Sequence, residues 1–195
     1  MNSKIKSYSA LAMAASAVIP MACKKNEVND PNITDKTIYK SIVAVQATPL
    51  SNFIAVDSID VDGNGLFDMG FVIGVNLNDS SATAYCVNPR NLSQVLTDGS
   101  NVLKIVAEET SIDSNSTTWQ NLGLIHQKNL ASSTNIGIGG QGDKFIAFRF
   151  RSSDTSSDIY NGWMKVNLSA DLKIFIVKEL AYPNTPNTAI KAGAK

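Results

Sequence analysis

Lys144-Phe145-Ile146-Ala147-Phe148-Arg149-Phe150-Arg151 decides the fold. Side chains alternate across a β-strand, so residues two apart share a face. Ile146, Phe148 and Phe150 then make one wholly apolar face, the face to bury. The opposite face starts with Phe145 and Ala147 and turns polar at Arg149 and Arg151 as the strand runs out. Further along, Lys173-Ile-Phe-Ile-Val-Lys178 carries apolar residues on both faces, as expected of a strand covered on both sides.

Upstream the same texture recurs, as short apolar runs separated by turn clusters. The expected strands are Ile42–Ala47, Phe53–Ile59, Phe67–Leu77, Ala82–Val87, Val102–Glu108, Lys144–Arg151, Gly162–Leu168 and Lys173–Leu180. Asp79-Ser-Ser81, Asp98-Gly-Ser100, Gly139-Gly-Gln-Gly-Asp143 and the polar run from Ser152 to Asp158 punctuate them. Asn91–Leu96 suits one helical turn, and Thr118–Gln127 a short helix or a loop. About eight strands with polar turns predict an all-β domain, a β-sandwich or jelly roll. With 195 residues, 44% of them hydrophobic, the chain suits one such domain, spanning residues 37–195.

The amino terminus reads as a targeting segment. Lys4 and Lys6 precede an apolar run, residues 8–19, too short for the ~20 residues that span a bilayer. It ends in Pro20-Met21-Ala22-Cys23, which resembles a bacterial lipobox. Residues 1–22 are then a lipoprotein signal peptide and Cys23 the lipidated residue, with ordinary secretion as the alternative. Residues 23–36 are polar, with Pro31, and form a flexible tether. Acyl chains on Cys23 would hold the domain at the cell envelope, by expectation the outer membrane. Once Cys23 carries lipid, Cys86 has no intramolecular partner, and its apolar surroundings suit a buried strand residue.

Net charge is zero, and loss of Lys4 and Lys6 with the leader leaves 15 basic against 17 acidic residues, a net of −2. Such a chain has little to grip a phosphate backbone, which argues against nucleic-acid binding.

The most specific chemical signal within the domain is Asp60-Val-Asp62-Gly-Asn64-Gly65-Leu66-Phe-Asp68. Asp60, Asp62, Asn64 and Asp68 offer side-chain oxygens at relative positions 1, 3, 5 and 9, and the Leu66 carbonyl adds one at position 7. Gly65, at position 6, permits the sharp turn. This is the donor pattern of a calcium loop, with Asp57 as a further ligand. Phe71 stands where an EF-hand has its bidentate Glu, and the loop opens into a strand, so the expected site stabilises a hairpin. The alternative is a plain turn held by Asx hydrogen bonds.

No catalytic constellation emerges. His126 is the only histidine, and neither a Gly-x-Ser-x-Gly elbow nor a reactive cysteine context accompanies it. Glu108 and Glu109, if on a strand, point to opposite faces and cannot pair across a glycosidic bond. The glycine-rich stretch Ile136–Gly142 lacks the P-loop Lys-Ser/Thr and the dinucleotide spacing, and reads as a loop. Trp119, Tyr160 and Trp163 offer an aromatic platform for a sugar ring, although Trp163 also suits a core.

Lys144-Phe-Ile-Ala-Phe-Arg-Phe150, Tyr160-Asn-Gly-Trp163, Glu179-Leu-Ala-Tyr182 and the tail Thr188-Ala-Ile-Lys-Ala-Gly193 together resemble a pattern in exported proteins of Bacteroidetes and some other environmental bacteria. There an FIGFRF-like strand, a Tyr-Gly-Trp strand and an AY…P…AI.AG tail follow an Asp-rich loop. Asn161 interrupts the Tyr-Gly-Trp element. The resemblance implies a secreted or surface-anchored β-sandwich and supplies no chemistry. The functional expectation is a non-catalytic envelope lipoprotein that binds a glycan or protein ligand and is stabilised by calcium. The alternatives are a polysaccharide-acting hydrolase and a purely structural surface protein.

Overall fold

The computed structural model describes residues 37–41, 54–76, 81–87, 92–129 and 132–195. Among these the chain is all-β, without a helix. The strands are β1 (Thr37–Ser41), β2 (Ile54–Ile59), β3 (Met69–Asn76), β4 (Ser81–Val87), β5 (Ser93–Leu96), β6 (Ile105–Val106), β7 (Ser111–Ile112), β8 (Trp119–Gln120), β9 (Leu122–Asn129), β10 (Thr134–Gly137), β11 (Lys144–Phe150), β12 (Tyr160–Leu168), β13 (Phe175–Pro183) and β14 (Ile190–Lys191). Eight of them are five residues or longer.

Two antiparallel sheets form the sandwich. The larger is ordered β1-β13-β12-β11-β5-β8, with β6 also on β11, and the smaller β10-β9-β4-β3-β2. The deciding strand β11 lies inside the larger sheet, bonded to β12 on one edge and to β5 and β6 on the other. Ile146, Phe148 and Phe150 enter the main core, as their face predicts, and meet Phe71, Ile73, Ala84 and Cys86 of the smaller sheet. Phe71 and Phe175 close the gap directly, with ring centroids 4.9 Å apart.

The other face of the larger sheet is covered as well. Leu96, Trp119, Ala147, Trp163 and Ala181 form a second core with Val106, Ile112, Ile190 and Ala192. The cover is the two-stranded ribbon of β7 and β14, to which the carboxy-terminal tail contributes. Ala192 donates its N–H to the Thr110 carbonyl and accepts from Glu109, both at 2.9 Å. Trp163 Nε1 donates to the Ala194 carbonyl at 3.1 Å. The Phe145 and Trp163 rings meet edge to face at 5.3 Å, packing β11, β12 and the tail as one unit.

Several local expectations change. Thr118–Gln127 is neither helix nor loop but β8 and most of β9, and Asn91–Leu96 gives a strand, β5, over its last four residues. Within Val102–Glu108 only Ile105–Val106 pairs as a strand; Val102 and Leu103 make isolated bridges. Glu108 and Glu109 occupy a turn, Glu109 with φ 63°, so strand alternation does not govern them. Thr134–Gly137 is strand β10, and only the rest of the glycine-rich stretch is loop. The expected strand Ile42–Ala47 and the leader, Cys23 and tether lie outside the described residues.

Candidate functional site

The acidic loop joins β2 to β3. The hairpin is closed by the Ile59–Met69 pair and by Asp68 N–H donating to the Ile59 carbonyl at 2.9 Å. Gly63 and Gly65 take φ of 80° and 87°, left-handed values that L-residues other than Asn and Asp seldom adopt. Asp60 organises the turn: its Oδ1 accepts from Gly63 N–H at 2.7 Å and its Oδ2 from Gly65 N–H at 2.8 Å. The Asx hydrogen bonds of the plain-turn alternative are therefore present.

The same folding draws the carboxylates together. Oxygens of Asp60, Asp62 and Asp68 lie within 4.8 Å of one another, a group that could hold a metal ion. Asp68 is buried, and its Oδ2 accepts from Val61 N–H at 2.8 Å. Burial pushes the Asp68 carboxyl up to about 6, aided by the charges of Asp62 and Asp60 and opposed by the Val61 hydrogen bond. Burial first, then neighbouring Asp60, holds Asp62 above its ordinary value. Asn64 is engaged within the loop, its Nδ2 on Asp62 Oδ2 at 3.0 Å and its Oδ1 on Leu66 N–H at 2.8 Å. The Leu66 side chain is exposed. Asp57 stands apart on β2, accepting from Ser58 N–H at 2.8 Å, and is not in the carboxylate group. Ser93 of β5 donates to the Asp68 carbonyl at 2.6 Å, which ties the loop to the larger sheet.

The three aromatic residues do not form one exposed surface. Trp163 and Trp119 are buried in the second core, whereas Tyr160 is half-buried on the opposite face, stacked on Phe150 at 5.2 Å. Cys86 is a free, buried thiol of the main core, and burial pushes it up to about 12. It remains protonated and poorly nucleophilic at neutral pH.

His126 is buried beside the turn after β10. Its Nδ1 accepts from Gly139 N–H at 3.1 Å, which places the proton of the neutral ring on Nε2. Nε2 is sealed from solvent and has no partner within hydrogen-bonding distance and angle among the described residues. Burial lowers its proton affinity, against a smaller opposing pull from the Asn135 side chain.

Sequence reasoning missed a cationic cluster. Arg149 Nε donates to Gln94 Oε1 at 2.7 Å, and Gln94 Nε2 donates to Asn121 Oδ1 at 3.1 Å. The sole signal was that β11 turns polar at Arg149 and Arg151; the other members lie 28 or more positions upstream.

The fold and loop define a class, an all-β sandwich with a carboxylate cluster at one hairpin. Comparison with known proteins finds no family whose model matches the chain, no similar curated protein and no similar solved structure.

Proposed function

We propose that the chain is an exported envelope lipoprotein whose β-sandwich works without catalysis, as a ligand-binding module stabilised by calcium at the Asp60–Asp68 loop. Convergence of three carboxylates on one point, with Asp68 buried, is the observation that carries this reading. Like charges this close raise one another's proton affinity unless a cation neutralises them. Hard carboxylate oxygens on an irregular loop suit calcium, which tolerates variable coordination, better than magnesium, which demands a near-ideal octahedron. The role is structural: the ion would pin the β2–β3 hairpin and, through Ser93, the edge of the larger sheet.

Export and anchoring draw support from Lys4, Lys6, the apolar run 8–19 and Cys23. An acylated Cys23 gains ~0.8 kcal/mol per buried methylene, and the polar tether keeps the domain clear of the bilayer. The outer membrane is the proposed location, and a glycan or protein the proposed class of ligand.

Thermal unfolding with excess calcium and with chelator tests the ion. Calcium at ~100 times its dissociation constant should stabilise the protein by ~2.7 kcal/mol, and Asp62→Asn should remove most of that response. A melting temperature indifferent to calcium, magnesium and chelator rejects the ion site. Mass spectrometry of the native amino terminus tests the anchor, and an unmodified first residue other than Cys23 rejects it.

A further inference from the structure

Arg149 of β11 and Arg151, just past the end of that strand, stand two residues apart, ~7 Å along extended chain. Both line a hollow of about 160 Å³, walled also by Leu92, Gln94, Asn121 and Ile159. Arg149 is held on two sides. Its guanidinium lies 4.9 Å from the Trp119 ring centroid, and its Nε is fixed by Gln94, which is itself braced on Asn121. With Nε engaged, the end-on pair Nη1 and Nη2 has no hydrogen-bond partner among the described residues. That edge is the fork that grips a carboxylate or a tetrahedral oxyanion bidentately.

The charge balance is unusual. The ion pairs among the described residues join Lys178 to Asp143, Lys191 to Glu109 and Lys195 to Glu179, and none involves Arg149 or Arg151. Two guanidinium groups thus share one hollow, and no carboxylate of the described residues pairs with either. Arg149 is half-buried, and burial, then repulsion from Arg151, lowers its proton affinity. A protein that only needed to finish this strand would gain by leaving the position neutral or pairing it. Instead the side chain is stacked and braced, and no described residue engages its fork.

We propose that the Arg149–Arg151 hollow binds a single oxyanion group, a carboxylate, sulfate or phosphate carried on the ligand. Size supports one such group. At ~30 Å³ per water the hollow holds about five waters, enough for an oxyanion and its partners. It falls below the ~300 Å³ at which pockets enclose whole small molecules, so the rest of the ligand would lie along the surface. Arg149 is the rigid, preorganised contact, and Arg151, which is exposed, closes from the rim. The proposal deepens the ligand-binding part of the function above and rests on it, but on neither calcium nor the anchor.

Calorimetric titration of the purified protein with inorganic sulfate, inorganic phosphate, trigalacturonate and neutral galactotriose tests it. Saturable binding of at least one anionic probe is expected, weakening as sodium chloride rises, with none for the neutral trimer. Trigalacturonate binding without the inorganic ions would identify a carboxylate, and the reverse a tetrahedral group; either supports the site. Arg149→Gln and Arg151→Gln should each weaken binding about tenfold or more. Arg151 is exposed, so Arg151→Gln should melt with the native protein, and equal melting separates its loss of binding from unfolding. No binding of any anionic probe, or binding unchanged in both variants, overturns the proposal. Binding of the neutral trimer alone overturns it too, while leaving the wider ligand-binding reading in place.

Discussion

Gly162 and Phe148 stand directly opposite each other in the β11–β12 pairing. A Cβ on Gly162 would run into the Phe148 ring and come within 2.7 Å of the Ala181 carbonyl oxygen. The glycine of the Tyr-x-Gly-Trp element therefore makes room for the phenylalanine of the preceding strand, and the two motifs are one packing device. His126 is a second residue whose environment has measurable consequences. The unfolded imidazole takes up a proton near pH ~6.5, whereas the buried ring, its affinity lowered, resists until the pH is lower. Acid thus favours the unfolded chain: stability is fully present above ~6.5 and is lost as pH falls through that value, with a limiting slope of ~1.4 kcal/mol per pH unit. Asp68, raised to about 6, works in the opposite sense, since its carboxylate is disfavoured in the fold as pH rises. Urea unfolding of the native protein and of His126→Gln between pH ~7 and ~5 cancels the Asp68 contribution and isolates the histidine. The variant should lose less stability over that range; parallel curves would show that His126 titrates alike in both states.

Among the elements, β13 was legible only in part, and a single residue explains why. Its core residues are Phe175, Val177, Leu180 and Tyr182, with spacings of two, three and two, which is not a strand pattern. The pairing with β12 runs Val166–Val177 and then Lys165–Glu179, so Lys178 is the extra residue of a β-bulge. The bulge absorbs it and returns the alternation to phase. β9 hides the same device. Its pairing with β4 skips Ile125, leaving Ile125 and His126 both buried, and the broken alternation obscured the strand. Strands with unbroken alternation, β11 above all, could be read directly. The acidic loop could be read too, because its carboxylates are neighbours in sequence. The arginine hollow could not, because β5, the β8–β9 junction and β11 meet only through pairing. The bulge makes a sharp prediction about length. Deleting Lys178 leaves Phe175, Val177, Leu180 and Tyr182 in strict alternation and removes one partly exposed ion pair with Asp143, worth ~0–1 kcal/mol. Deleting Lys165 from the regular strand β12 instead turns Val166 and Leu168 away from the main core. Circular dichroism should find the first variant folded and the second not. Two unfolded variants would mean that the bulge sets a twist the sandwich requires.

At the scale of the molecule, the larger sheet belongs to two cores at once, and this bears on how the protein comes apart. Both tryptophans lie in the second core, under the β7–β14 cover, so their emission reports the outer face of the sheet. Phe71 lies in the main core, against Phe175 on the other side. Strand β13 carries Phe175 and Leu180 into one core and Ala181 into the other, and β12 does likewise with Met164 and Trp163. Neither core can lose its wall without exposing the other, so both should melt in one transition. Phe71→Leu opens a small cavity remote from both indoles and should cost ~1–2 kcal/mol. If the sheet couples the two sides, tryptophan emission and far-ultraviolet circular dichroism will shift to lower urea by the same amount and remain superimposed. If the tail cover is instead an independent flap, the emission midpoint will stay where it was while the dichroism midpoint moves. The coupled outcome is expected because every strand that holds up the second core, apart from the ribbon and the short strands β5, β6 and β8, is also a central strand of the first.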